Sequence, residues 1–175
     1  MSLWLNDEDK ESHLPPRANR VLLPAGLGVL TEIWMGGGHS AFGHDIDLEQ
    51  VRDAWIVDCA NEFPLRFRDA AGLTIFRVFT DTEEAPHNWE RLDGLALSLG
   101  SCILGVAHGR DGWEHPHEPP ARLYIVCKQG MNRSGLMAGR ILRALGVPGD
   151  EAVAAVRRAR PGALNNLTFE RLVRE

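Results

Sequence analysis

Arg122-Leu-Tyr-Ile-Val-Cys127-Lys-Gln-Gly-Met-Asn-Arg133-Ser134-Gly135 is the stretch on which the reading of this chain turns. It opens with a short apolar run, Leu123 to Val126, of the kind that fills a buried strand. A polar loop containing Gly130 follows. A helical pattern then runs from Leu136 to Leu145 and stops at Gly146, with Pro148 just beyond. Strand, loop and helix start in this order make an anion cradle. Backbone N–H groups and the positive end of the helix dipole converge on one point.

Into that point the sequence places a cysteine and, six residues later, an arginine. A thiolate is the reactive form of cysteine, and a helix N-terminus or fixed positive charge favours it, which makes Cys127 a candidate nucleophile. The planar fork of Arg133 grips two oxygens of a phosphoryl group at once and steadies charge that develops in transfer, which lysine does not do. The Ser134 hydroxyl is placed to donate to the sulfur when it leaves again. The amides of Lys128, Gln129, Gly130, Met131, Asn132 and Arg133 are the expected phosphate contacts, with Gly130 letting the loop turn with its N–H groups inward. The plain alternative is a buried cysteine on an ordinary strand-to-helix turn.

The stretch resembles the Cys-x5-Arg-Ser signature of the protein tyrosine phosphatase superfamily, in its small dual-specificity branch. Ile33-Trp34-Met35-Gly36 is similar to the strand that opens many such domains. Arg160-Pro161 followed by Asn166 and Phe169 is similar to a segment that braces the catalytic loop. The resemblance covers roughly residues 29–173. It implies a phosphatase that forms a phosphocysteine intermediate and acts on phosphotyrosine proteins, the depth of the cleft deciding between phosphotyrosine alone and phosphoserine and phosphothreonine as well. No metal or organic cofactor is implied. Asp81, on an acidic loop past an apolar strand, matches the family's proton donor; Asp111 is the second candidate. Asn166 becomes a hydrogen-bond partner of the loop rather than a reactant. Cys59 matches a position where some relatives carry a cysteine able to pair with the nucleophile, the alternative being a buried strand residue.

Relatives usually place His before the nucleophile, whereas Val126 stands here. A lysine directly after the nucleophile, as Lys128 is here, occurs in phosphoinositide phosphatases, which carry a second lysine where this chain has Met131, and Gly-Met-Asn-Arg-Ser-Gly is similar to a stretch of RNA 5′-triphosphatases. Those activities, and a phospho-binding module without turnover, are the competing readings.

The whole chain sets outer bounds. Its 175 residues suit one domain with a sizeable core. Acidic residues outnumber basic ones, 24 to 19, for a net charge of −5. That balance argues against nucleic acid or an anionic membrane as partner. It leaves Lys128, Arg133 and the run Arg157-Arg158-Ala-Arg160 to attract a phosphate. No apolar run is long enough for a membrane span. The acidic start reads as neither signal nor transit peptide. Three cysteines fit a reducing, cytoplasmic setting rather than a disulfide scaffold. Oligomeric state is not legible. His108, His115 and His117 share a loop but lack the companions of a zinc site, and no Gly-x-Ser-x-Gly elbow exists.

Residues 1–20 read as an extended arm and 21–175 as the domain. Strands are expected near Val29–Met35, Trp55–Asp58 and Leu73–Phe79, with residues 65–68 pairing with the last through a turn at Asp69–Gly72. Gly36-Gly37-Gly38 reads as a turn closing its strand rather than a nucleotide loop. Helices are expected over Asp47–Ala54, over Asn88–Ala107 with Leu92, Leu95, Leu99 and Ile103 buried, and over 149–159, with a last turn or two at Phe169–Val173. Strands alternating with helices imply an α/β domain with a mainly parallel sheet covered on both faces.

Overall fold

The computed structural model describes residues 15–105 and 118–175. Its centre is β6 (Arg122–Cys127), in which every residue from Leu123 to Cys127 is buried. A strand buried on both faces needs a continuous apolar run, which is what Leu-Tyr-Ile-Val-Cys supplies. Alternation along it sends Leu123, Ile125 and Cys127 to one face and Tyr124 and Val126 to the other.

Parallel neighbours flank β6. They are β2 (Glu32–Gly37) on one side and β4 (Trp55–Asp58) on the other, and β4 in turn pairs with β5 (Leu73–Phe76). Beyond β2 the sheet turns antiparallel with β1 (Arg17–Val21) and the short β3 (His44–Asp45), giving the order β3-β1-β2-β6-β4-β5. The face bearing Cys127 is covered by α3 (Trp89–Ile103), α4 (Arg133–Ala144), α5 (Gly149–Ala159) and α6 (Leu167–Arg174). The opposite face packs on α1 (Leu48–Val51) and α2 (Leu65–Ala70) through Val51, Phe63 and Phe67. This is a single-domain α/β architecture with a mostly parallel sheet, as the alternation of elements implies.

The stop signals after α4 work as their residues suggest. Gly146 takes φ +87°, its N–H bonds to the Arg143 carbonyl, and the Val147 N–H reaches back to the Leu142 carbonyl, the paired bonds of a Schellman ending. On α3 the buried residues include Leu92, Leu95, Leu99 and Ile103, as their spacing predicts. The helix ends at Ile103, before the expected Ala107. Cys102, on the same helix, is half-buried at the margin of the core.

Several expectations are corrected. Residues 65–68 form α2 rather than a strand. The alternation Leu-Arg-Phe-Arg is too short to separate the two periods, and only Phe67 is buried, its ring 5.5 Å from that of Phe63. The helix expected over Asp47–Ala54 shortens to α1, capped by Asp47. Residues 17–20, read as part of an arm, belong to β1 within the sheet, while residues 1–14 lie outside the described residues.

The glycine triplet is also not a simple turn. Gly36 and Gly37 are the last two residues of β2 and lie against the phosphate-loop stretch. A Cβ on Gly37 would sit 2.5 Å from the Lys128 carbonyl oxygen, and one on Gly130, which has φ +76°, would sit 2.4 Å from the Gly36 carbonyl carbon. Backbone packs on backbone there, and only glycine allows it.

Candidate active site

β6 delivers Cys127 to the C-terminal edge of the sheet, residues 128–132 turn, and α4 starts at Arg133. The direction of the carbonyls decides what this loop can bind. The Gly38 N–H donates to the Cys127 carbonyl and the His39 N–H to that of Lys128, both at 3.0 Å. The Arg160 guanidinium donates to the Gln129 carbonyl at 2.7 Å, and the Leu164 N–H reaches the Met131 carbonyl at 3.4 Å. With these acceptors tied from outside, the loop's N–H groups are left for the interior of the turn. That is the arrangement an oxyanion requires.

The sulfur sits at the floor of the cradle. The Gly130 N–H donates to Cys127 Sγ at 3.2 Å, and Ser134 Oγ, fully buried, lies 3.4 Å from it. Once the thiol has lost its proton, the hydroxyl is the donor in that pair. Arg133 begins α4 on the rim, where its guanidinium makes a long 3.5 Å contact with the Phe79 carbonyl.

The loop after Phe79 brings Asp81 to the same place. Its Oδ1 accepts from Asn166 Nδ2 at 2.8 Å and its Oδ2 from Asn132 Nδ2 at 2.9 Å. Asn166 also caps α6, its Oδ1 accepting from the N–H groups of Thr168 and Phe169. The structure therefore gathers Cys127, Ser134, Arg133, Asn132, Asp81 and Asn166 at one edge of the sheet. Beside them opens a groove of about 760 Å³ lined by Asp81, Glu83, Asn132, Asn165, Leu167 and others.

Cys59 stands near Cys127. It follows β4 directly, its N–H donates to the Val126 carbonyl at 2.8 Å, and it shares the sheet face of Cys127. Burial holds its thiol well above the usual cysteine range, and negative charge on Cys127 or Asp58 adds to this against the opposing pull of Arg133. All three cysteines are unpaired.

Arg160 is the residue whose role composition did not disclose. Charge alone puts it in a basic run with Arg157 and Arg158, while the resemblance puts it in the segment that braces the loop. It is 2% exposed, and its guanidinium reaches Asn19 Oδ1, the Phe42 carbonyl, Ser40 Oγ and the Gln129 carbonyl. Burial draws its ionisation down from the usual guanidinium range, and the Cys127 sulfur's negative charge works the other way. Arg157 is likewise engaged, with Glu170 and two carbonyls. The run therefore forms no basic patch. Its position ahead of Pro161, where a helix must stop, was the available hint.

Asp111, His108, His115 and His117 lie outside the described residues. Among the described residues, no group of His, Cys, Asp and Glu gathers to hold a metal, and no helix is long and apolar enough to cross a membrane.

The chain shares the fold of solved dual-specificity and protein tyrosine phosphatases, the stretch from Cys127 to Arg133 joining β6 to α4. The chain is similar to a mouse putative dual specificity phosphatase solved with zinc tungstate. That match has a TM-score of 0.59 and 21% identity, and covers 98% of this chain and 90% of that one. Human DUSP28 matches with a TM-score of 0.59 and 20% identity over 91% of this chain and 92% of its own. The Yvh1 phosphatase domain of Chaetomium thermophilum matches at 0.58 and 18%, over 90% and 93%. No protein family model matches the chain, and no curated protein does.

Proposed function

We propose that this protein is a cysteine-dependent phosphatase acting on phosphotyrosine, and on phosphoserine and phosphothreonine, in proteins or peptides. The observation that carries this reading is the loop whose carbonyls are tied outward around Cys127, leaving its amides for an oxyanion. The names of the similar structures, dual specificity phosphatases among them, point the same way.

The chemistry follows from the positions. The Cys127 thiolate attacks phosphorus while the loop amides and Arg133 hold the equatorial oxygens. As the P–O bond breaks, Asp81 gives its proton to the leaving oxygen. The Asp81 carboxylate then takes a proton from water, the water oxygen attacks phosphorus, and the S–P bond breaks. Ser134 donates to the departing sulfur. Unpaired cysteines, one of them the nucleophile, suit a reducing compartment such as the cytoplasm. Hydrolysis of a small aryl phosphate across pH 5–8 tests the reading. Turnover insensitive to a chelator supports it, and a protein that binds phosphate but never hydrolyses it overturns the enzyme assignment.

Cys59 belongs to the same proposal as a redox partner. Peroxide converts the Cys127 thiolate to sulfenic acid, releasing hydroxide. The Cys59 sulfur then attacks the sulfenic sulfur, an S–S bond forms, and water leaves. Because burial keeps Cys59 a neutral thiol through mildly alkaline pH, Cys127 is the site of first attack. Peroxide treatment followed by peptide mass mapping is expected to find Cys59 and Cys127 joined, with activity restored by a thiol reductant. Sulfinic acid on Cys127 beside a free Cys59 is the contrary result.

A further inference from the structure

Asn132 lies inside the phosphate loop, yet its side chain points away from the sulfur. Its Oδ1 accepts from the backbone N–H of Asn166 at 3.2 Å, and its Nδ2 donates to Asp81 Oδ2 at 2.9 Å. The orientation of the amide is fixed by these partners, because a backbone N–H can only donate and a carboxylate oxygen only accept. Asn166 is fixed in the same way. Its Oδ1 takes two N–H donors, and its Nδ2 serves Asp81 Oδ1 and the Thr82 carbonyl at 2.7 Å. Asn132 heads α4 without making any side-chain capping bond, so its amide does nothing for the helix that a shorter residue would not. Three separate segments, the phosphate loop, the loop of Asp81 and the turn before α6, therefore meet at one carboxylate through two side-chain amides.

We propose that Asn132 is the positioning residue for the proton donor, tying Asp81 to the same loop that holds the phosphate. This rests on reading Asp81 as that donor. An acid on an exposed loop has many orientations, and only a few place its proton at the leaving oxygen. Asn132 selects among them from within the oxyanion site itself, so the acid and the phosphate keep one frame of reference. When Asp81 is protonated, its carbonyl oxygen still accepts from one amide while the other oxygen carries the proton outward. When the proton has gone, both amide bonds are available to the carboxylate that must next activate water.

The prediction concerns leaving groups. A dinitrophenyl phosphate expels a stable anion that needs little protonation, whereas phenyl phosphate needs an acid. We expect the ratio of kcat/KM for the dinitrophenyl ester over the phenyl ester to rise ~10-fold in Asn132→Ala, in the direction of a larger rise in Asp81→Asn. The two changes together are expected to raise it no further than Asp81→Asn alone. Asn132→Asp, of the same shape but presenting a carboxylate to a carboxylate, is expected to raise the ratio too, and circular dichroism selects whichever variants are folded. A ratio that rises in Asp81→Asn but stays at the wild-type value in folded Asn132 variants overturns the role of Asn132 alone. A ratio unmoved in Asp81→Asn overturns the donor assignment and this inference with it. General loss of stability would lower both rates together and leave the ratio where it was.

Discussion

Cys127→Ser is expected to abolish hydrolysis of aryl phosphates, by on the order of 10⁴-fold or more, while the protein still binds inorganic phosphate or tungstate. The asymmetry comes from how the site is built. In the proposed mechanism the oxyanion is held by backbone amides of a loop whose carbonyls are tied to Gly38, His39, Arg160 and Leu164, none of which the substitution touches. Turnover belongs to sulfur. A serine hydroxyl in the same place accepts the Gly130 N–H but keeps its proton near neutral pH, so it has no comparable anion with which to attack phosphorus. Calorimetry of tungstate binding beside a rate assay separates the two. A serine variant as active as the wild type would remove Cys127 from the reaction.

Arg133→Lys is expected to cost ~10³-fold in kcat/KM although it preserves the charge. Two parallel N–H donors of a guanidinium match two phosphoryl oxygens, and an ammonium offers one point of contact. The substitution also removes the contact with the Phe79 carbonyl, at the start of the segment that carries Asp81. Loss is therefore expected in kcat more than in KM, since the fork fits the transition state better than the ground state. Steady-state kinetics resolves the two parameters, and equal activity in the lysine variant would show that charge alone suffices.

The strand–loop–helix of residues 122–146 was legible because each signal in it is local. An apolar run, a glycine and a C-terminal Gly-x-Pro act over a few residues, and their sum fixes β6, the turn and the end of α4. Cys127, Arg133 and Ser134 were legible for the same reason. Asp81 and Asn166 came from resemblance rather than from any pattern in the residues themselves. Their meeting, through the Asn166 amide on Asp81 Oδ1, joins positions 85 apart in the sequence. Charge counts alone put Arg160 in a basic run, because they cannot distinguish an arginine in water from one enclosed by carbonyls, whereas the resemblance put it in the segment that braces the loop, where its bond to the Gln129 carbonyl lies. The stretch at 65–68 failed on length, being too short for its alternation to exclude a helix capped by Pro64.

Gly36 and Gly130 carry one more consequence. The floor beneath the phosphate loop is made of peptide planes in contact, with no side chains between them. A contact of that kind leaves no room for a Cβ at either glycine, so a substitution at Gly36 or Gly130 must displace backbone rather than a side chain. Substitutions that reshape the neighbouring groove without disturbing that contact fall on side chains such as Glu83, Asn165 and Leu167, which line it.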